Sequence, residues 1–366
     1  MFRIPTRVRM QPGCLAELPD FLAEFSAQNL LLITDQGVGQ QPWFVELKAA
    51  LGDSVKIDDS IQPNPRSSNI DRIADESRQL NPDAVLGIGG GSVIDAAKAV
   101  AMLLRNDGSI QDFVGKNKFT EPSAPFIAVP TTCGTGSEVT WVSVISVPEK
   151  GTKISVKGDG MFPMAAFVDA DVIQSLPPTL IAATGMDAMT HSVESVIAKQ
   201  ANPASDALAL QAVRLLIRHL GPCVRMPHKL EHRSAVMNAS TIAGMSFGNS
   251  DVGAVHCLSE AIGGLLDHPH GLLNTLLLVP VLRYEFEMIR DRLKPLSASL
   301  GAPRPESFVD RLETMISSFP LASWQDLQID PELFPMIAER AESNGSNPSN
   351  LKEMKASDYE LILKSL

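Results

Sequence analysis

Five short runs in the first half of the chain are apolar at nearly every position: residues 29–34, 83–90, 125–131, 141–147 and 165–170, each bounded by Gly, Pro, Asn or Asp. A strand with one wet face alternates, whereas a run without alternation is buried on both faces, which predicts a parallel sheet covered by helices. Between such runs, residues 67–80 and 92–106 carry apolar positions at helical spacing. The order strand–helix–strand predicts an α/β fold with a doubly wound, mostly parallel sheet. The pattern changes after "SLPPTL" at 175–180. Paired prolines break regular structure, and beyond them almost every segment has the helical period, residues 205–220 and 232–247 most plainly. The expected division is an α/β domain over 1–180 and an all-α domain over 181–366, and the chain is long enough for two cores.

Charge and cysteine content narrow the classes. The formal net charge is −11 and Lys and Arg are not clustered, which argues against a nucleic-acid partner. Cys14, Cys133, Cys223 and Cys257 form no C-x-x-C pair, so neither a disulfide framework nor a thiolate zinc site is expected; they read as small buried residues in a reducing compartment. The N-terminus "MFRIPTRVRMQPG" has no apolar core of a signal peptide, and no run of eighteen apolar residues occurs. A cytoplasmic protein without a membrane span is the expectation.

Two loops carry candidate binding chemistry. "LGIGGGSVIDAAKA" follows a strand and opens a helix, where backbone N–H groups and the positive end of the helix dipole receive phosphate. Gly89, Gly90 and Gly91 let backbone approach an anion, although Ser92 stands where a G-x-G-x-x-G pattern would place its third glycine. A tight strand-to-helix turn is the competing structural explanation. "PTTCGTGSEVT" at 130–140 also follows an apolar strand, and two loops at strand C-termini outline one crevice of the kind in which open α/β sheets bind ligands. Asp35 closes the first strand; in a dinucleotide site it would accept from ribose hydroxyls and repel a 2′-phosphate, and otherwise it simply forms a turn.

All seven histidines fall after the boundary. Asp187 and His191 in "TGMDAMTHSVES" lie four apart on one helix face among small and apolar residues, as ligands of a metal or as a plain hydrogen-bonded pair. His219, His228, His232 and His268 sit near helix ends or in a turn and are expected to be solvated. His256 and His270 stand on apolar stretches fourteen residues apart. A straight helix would separate them by roughly 21 Å, too far for one ion, so the chain must reverse, and Gly263-Gly264 with "DHPHG" supply the means. Three imidazoles and a carboxylate suit iron(II), with zinc left open.

Taken together, "GGGSVIDAAKA", "PTTCGTGSEVT", "GMDAMTHSVES", "AGMSFGNSDVGAVH" and "HPHGLLNTLLLVP" resemble the iron-containing (type III) alcohol dehydrogenases over residues 30–280. The resemblance implies a dinucleotide-binding N-terminal domain, a helical metal-binding C-terminal domain and an active site in the cleft between them. It also implies hydride exchange between a nicotinamide and a small primary alcohol or aldehyde, with the ion as Lewis acid. By position, the metal ligands are Asp187, His191, His256 and His270. Gly89, Gly90, Gly91 and Ser92 would hold the pyrophosphate, Thr131, Thr132 and Thr135 would line the nicotinamide side, and Lys153 would lie near the cofactor; Asp95 is grouped with them. Asp35 matches the acid of NAD-preferring members, which makes NADP the lesser expectation. Phe247 matches an aromatic near the substrate, and a homodimer is implied. The sequence departs from the pattern at Glu260, where related diol and lactaldehyde reductases carry histidine, so Glu260 is either a substitute proton acceptor or a surface glutamate. Val142 replaces an asparagine of some members, and Cys133 reads as packing. A lyase resembling dehydroquinate synthase and a non-catalytic NAD- or metal-binding protein are the alternatives; the complete ligand set disfavours a maleylacetate reductase.

Overall fold

The computed structural model describes residues 2–52, 54–301 and 304–366. The chain separates into two compact units. One comprises residues 4–132 and 136–175; the other comprises residues 176–366 and takes in Arg3 and Cys133–Thr135.

Among the described residues the first unit holds nine strands: β1 (Arg7–Arg9), β2 (Leu30–Ile33), β3 (Val55–Asp58), β4 (Ala84–Gly89), β5 (Gly115–Lys116), β6 (Phe126–Pro130), β7 (Val142–Val147), β8 (Thr152–Lys157) and β9 (Ala165–Phe167). Its helices are α1 (Leu18–Glu24), α2 (Gln36–Gly39), α3 (Pro42–Leu51), α4 (Ser67–Arg78) and α5 (Gly91–Leu103). Six strands form one sheet in the order β1-β9-β6-β4-β2-β3, with every pair parallel. The interior strands β2, β4 and β6 are buried at every position, which is why their sequences lack alternation. Strand β3 flanks β2 on one side and β4 on the other, so the chain reverses its direction of winding between β2 and β4. In such sheets the crevice outside the strand C-termini at this switch point is where a ligand sits.

The sequence expectation for 141–147 needs correction. The run forms β7, but β7 pairs antiparallel with β8 in a separate three-stranded sheet. Its apolar character comes from lying against α5, with Ile145 and Val147 fully buried. Around α5, Ile94, Ala97, Val100 and Ala101 pack with Leu31, Ile33 and Val85 of the parallel sheet and with Ile145 and Val156 of the small one.

The helices of the second unit are α6 (Pro178–Ile197), α7 (Pro203–Arg225), α8 (Leu230–Phe247), α9 (Ala254–Leu266), α10 (His270–Tyr284), α11 (Phe286–Ser299), α12 (Pro305–Ser317), α13 (Phe334–Glu342) and α14 (Ala356–Lys364). Of the paired prolines, Pro178 does more than interrupt: it is the first residue of α6, where a missing N–H costs nothing. Helix α7 is long and apolar enough to cross a membrane. It behaves here as a core helix, burying Ala209, Val213, Leu216 and Leu220 against α6 and α8 while Arg214 and Arg218 stay exposed.

Candidate metal centre and cofactor loops

Three helices aim polar groups at one point. Asp187 and His191 lie one turn apart on α6 and are almost wholly buried. His256 is buried on α9, and His270 is the first residue of α10. The chain reverses between α9 and α10 as expected, but at "DHPHG" alone and not at the glycine pair. Gly263 and Gly264 lie inside α9, and the reversal is made by Asp267, in the left-handed conformation at φ 58°, followed by Pro269. Gly271 lets α10 approach α6 closely, because a Cβ there would stand 2.9 Å from the Ala183 carbonyl oxygen.

Asp187, His256 and His270 present ligand atoms all within 4.8 Å of one another. His191 Nε2 lies 3.0 Å from His256 Nε2, and its ring stacks on Phe247 with centroids 4.3 Å apart. Glu194, one further turn along α6, accepts from His256 Nδ1 with one oxygen and from Val255 N–H with the other. A carboxylate on Nδ1 fixes the tautomer and turns the Nε2 lone pair toward the cluster. With its Nδ1 proton held by Glu194, His256 presents the Nε2 lone pair toward His191 Nε2, where a cation could take it. Asn274, four residues after His270, donates from Nδ2 to Asp187 Oδ1 at 2.7 Å, and Nδ2 lies 3.1 Å from both His256 Nε2 and His270 Nε2. Asn274 Oδ1 is buried without a hydrogen-bond partner among the described residues.

The electrostatics suit a cation. Burial would raise the Asp187 carboxyl, but His191, His270, His256 and the Asn274 amide outweigh it and hold the carboxyl below its ordinary value. Burial, with His256 nearby, pushes His191 down to about 4 against the pull of Asp187, so its imidazole stays neutral. At His256 the Glu194 carboxylate overrides burial and raises the pKa. A buried carboxylate, the neutral His191 imidazole and two further imidazoles are a donor set that fits a divalent ion, with Asp187, His191, His256 and His270 as the residues that would hold it.

Glu194 and Asn274 are missing from the expected residues, although both stand at helical spacing from ligands that were recognised. Glu194→Gln is expected to weaken metal retention and kcat about 10–100-fold, as loss of a carboxylate behind a ligating histidine does. Metal content after dialysis against a chelator checks it; unchanged retention would contradict the role. Glu260 lies one turn beyond His256 on α9, and its carboxylate accepts from Asn344 Nδ2 at 2.7 Å.

The cofactor candidates gather at the switch point, with two exceptions. Because β2, β3, β4 and β6 are parallel, Asp35, Asn64, Gly89–Ser92 and Thr131–Thr132 all follow strand C-termini. Thr34 Oγ1 donates to the Ile88 carbonyl at 2.7 Å, tying the end of β2 to that of β4. Gly89 must lack a side chain, since a Cβ would stand 2.5 Å from Val93 Cβ. The N-cap of α5 is Gly90, with no side-chain cap, so the first turn of Gly91 and Ser92 keeps its N–H groups for an anion. Thr131 N–H donates to the Gly89 carbonyl at 2.9 Å, and Thr132 lies beside Gly90. Ser92 Oγ accepts from Asn64 N–H at 3.2 Å, while Asn64 Oδ1 accepts from Lys153 Nζ at 2.8 Å. Asn64, which the sequence did not single out, thus joins Lys153 to the glycine loop. Asp35 Oδ1 caps α2 by accepting from Val38 N–H at 2.9 Å. The exceptions are Thr135, which belongs to the helical unit, and Asp95. Asp95 faces inward, both oxygens engaged by Ser137 Oγ and Val144 N–H and one lying 3.8 Å from the buried Lys98 ammonium. Lys98 also donates to the carbonyls of Ser137 and Val142, so this pair fastens α5 to the loop before β7.

Comparison with known proteins agrees with this arrangement. The family model for iron-containing alcohol dehydrogenases matches residues 5–170, and that for the C-terminal part of the Fe-containing alcohol dehydrogenase family matches residues 181–366. The chain is 31% identical to alcohol dehydrogenase 4 of Schizosaccharomyces pombe over 100% of its own length and 88% of the relative's. It is 30% identical to the NAD-dependent methanol dehydrogenase of Bacillus methanolicus over 100% of its length and 99% of the relative's. Superposed on the crystal structure of a 1,3-propanediol oxidoreductase, it gives a TM-score of 0.95 at 29% identity, covering 100% of this chain and 99% of the other. With family models matching both halves in order and a relative 31% identical over the whole chain, the chain belongs to the iron-containing alcohol dehydrogenase family.

Proposed function

We propose that this protein is an iron-dependent, NAD-preferring dehydrogenase that interconverts a small primary alcohol and its aldehyde. The observation that carries the reading is the convergence of Asp187, His191, His256 and His270 from three helices, braced by Glu194 and Asn274. A divalent ion held there supplies Lewis acidity toward an alcohol or carbonyl oxygen. The chain's own residues do the rest. Asp187 and the three imidazoles would hold the ion in place, Glu194 keeps His256 in one tautomer, and the uncapped start of α5 offers N–H groups to a pyrophosphate. Relatives named for methanol and for 1,3-propanediol support a short substrate. Free, buried cysteines support a reducing compartment such as the cytoplasm, and β1, an outer strand of the sheet, offers an edge on which a second copy could pair as a homodimer.

The test is steady-state NADH formation with a panel of short alcohols and diols, and NADH consumption with aldehydes, after anaerobic loading with iron(II) or zinc. Turnover that depends on the ion is expected. Cofactor and metal binding with no turnover across the panel would replace the enzyme reading with a binding protein.

NAD preference is attached to Asp35, whose carboxylate would meet a 2′-phosphate with like charge. Asp35→Asn keeps a side chain able to cap α2 and removes the charge. It is expected to raise kcat/KM for NADP relative to NAD about tenfold; an unchanged ratio would detach cofactor choice from this residue.

A further inference from the structure

Two histidines expected to be solvated instead meet across a helical hairpin. His219 lies on α7 and His232 in the first turn of α8, and the short connection 226–229 sets the two helices side by side. Both side chains are half-buried. Their Nδ1 atoms face each other at 3.0 Å, with ring centroids 5.3 Å apart. Glu231 brings a carboxylate oxygen to within 4.8 Å of both nitrogens. These three residues have no part in the centre built by Asp187 and its partners.

We propose that His219, His232 and Glu231 form a second cation site, one that takes a borderline divalent metal of the zinc class and clasps α7 to α8. Two imidazoles and one carboxylate match the donors such ions choose, and three protein ligands leave a fourth position for water. A tetrahedral ion about 2.0–2.1 Å from each nitrogen holds the pair roughly 3.3–3.4 Å apart, so the rings need to part by only a few tenths of an ångström. Glu231 offsets one of the ion's charges, and its exposure leaves the site open to solvent.

The experiment counts zinc. Full-length protein is equilibrated with zinc chloride, freed of excess metal, and assayed by elemental mass spectrometry beside His219→Ala, His232→Ala and His256→Ala. His219→Ala and His232→Ala are each expected to hold one zinc fewer per chain than the parent and to keep alcohol oxidation within twofold of it. Zinc is also expected to raise the melting temperature of the iron-loaded parent but not of these two variants. His256→Ala reads the other centre separately and is expected to keep the hairpin ion. Zinc counts in His219→Ala and His232→Ala equal to the parent, with circular dichroism showing all chains folded, would overturn the site and leave a hydrogen-bonded imidazole pair.

Discussion

His256→Ala is expected to lower kcat for alcohol oxidation by at least about a thousandfold while leaving the Kd for NADH within about twofold. The magnitude follows from what is removed. A Lewis acid contributes several kcal/mol to stabilising developing charge on oxygen, and each 1.36 kcal/mol is a factor of about ten in rate. His256 Nε2 lies 3.0 Å from His191 Nε2 and 3.1 Å from Asn274 Nδ2, and the buried Glu194 carboxylate stands behind its ring. Its loss opens the donor set and leaves Glu194 with the Val255 N–H alone. The glycine loop, Asp35 and Asn64 belong to the other compact unit, so cofactor affinity should survive. Metal content, NADH binding and turnover measured on the same preparation separate loss of the ion from loss of the fold. Turnover above about a tenth of the parent's in His256→Ala stripped of metal would contradict the scheme.

Local periodicity made much of this legible. The pair Asp187 and His191 reveals itself as polar residues four apart in an apolar helix, and the same stripe continues to Glu194, seven positions from Asp187. Asn274 stands at the same spacing from His270. Both signals were present, but glutamate and asparagine on helices so often face solvent that spacing alone does not distinguish them. Interior strands showed themselves because burial on both faces removes alternation. The edge strands β1, "RVR", and β3, "VKID", are half-exposed and carry too few apolar residues to announce themselves. For β7 the sequence revealed burial but not partner, since α5 covers it as thoroughly as a parallel neighbour would. Gly263 and Gly264 looked like a turn because glycine breaks isolated helices. Packing overrode that preference, with Gly263 buried inside α9, and the turn is made by the other expected signal, "DHPHG", whose Asp267 takes the left-handed conformation. Asn64 was invisible for a different reason: its partners lie 28 and 89 residues away.

Glu285→Gln is expected to stabilise the protein at pH 8.5 and above by on the order of 3 kcal/mol and to change stability little near pH 5. Glu285, at the junction of α10 and α11, is 2% exposed, and its Oε1 has no hydrogen-bond partner. Burial, reinforced by the Glu194 charge across the pocket that both line, raises its carboxyl from 4.5 to about 8, with Lys352 opposing. Between those two values the folded chain keeps a proton that the unfolded chain has already released, so raising the pH draws the equilibrium toward the unfolded state. The penalty is absent below about 4.5, grows through the window and is complete above about 8. Glutamine has the shape of the protonated acid and cannot ionise, so the variant should be insensitive to pH at this position. Denaturant titrations of parent and variant at pH 5 and 8.5 check the difference; an equal shift at both values would mean that Glu285 is ionised in the fold throughout. The penalty bears on the metal centre because Glu194, which lines the same pocket, accepts from His256 Nδ1. Keeping Glu285 neutral near pH 7 removes the like charge that would otherwise compete with it in the same buried pocket.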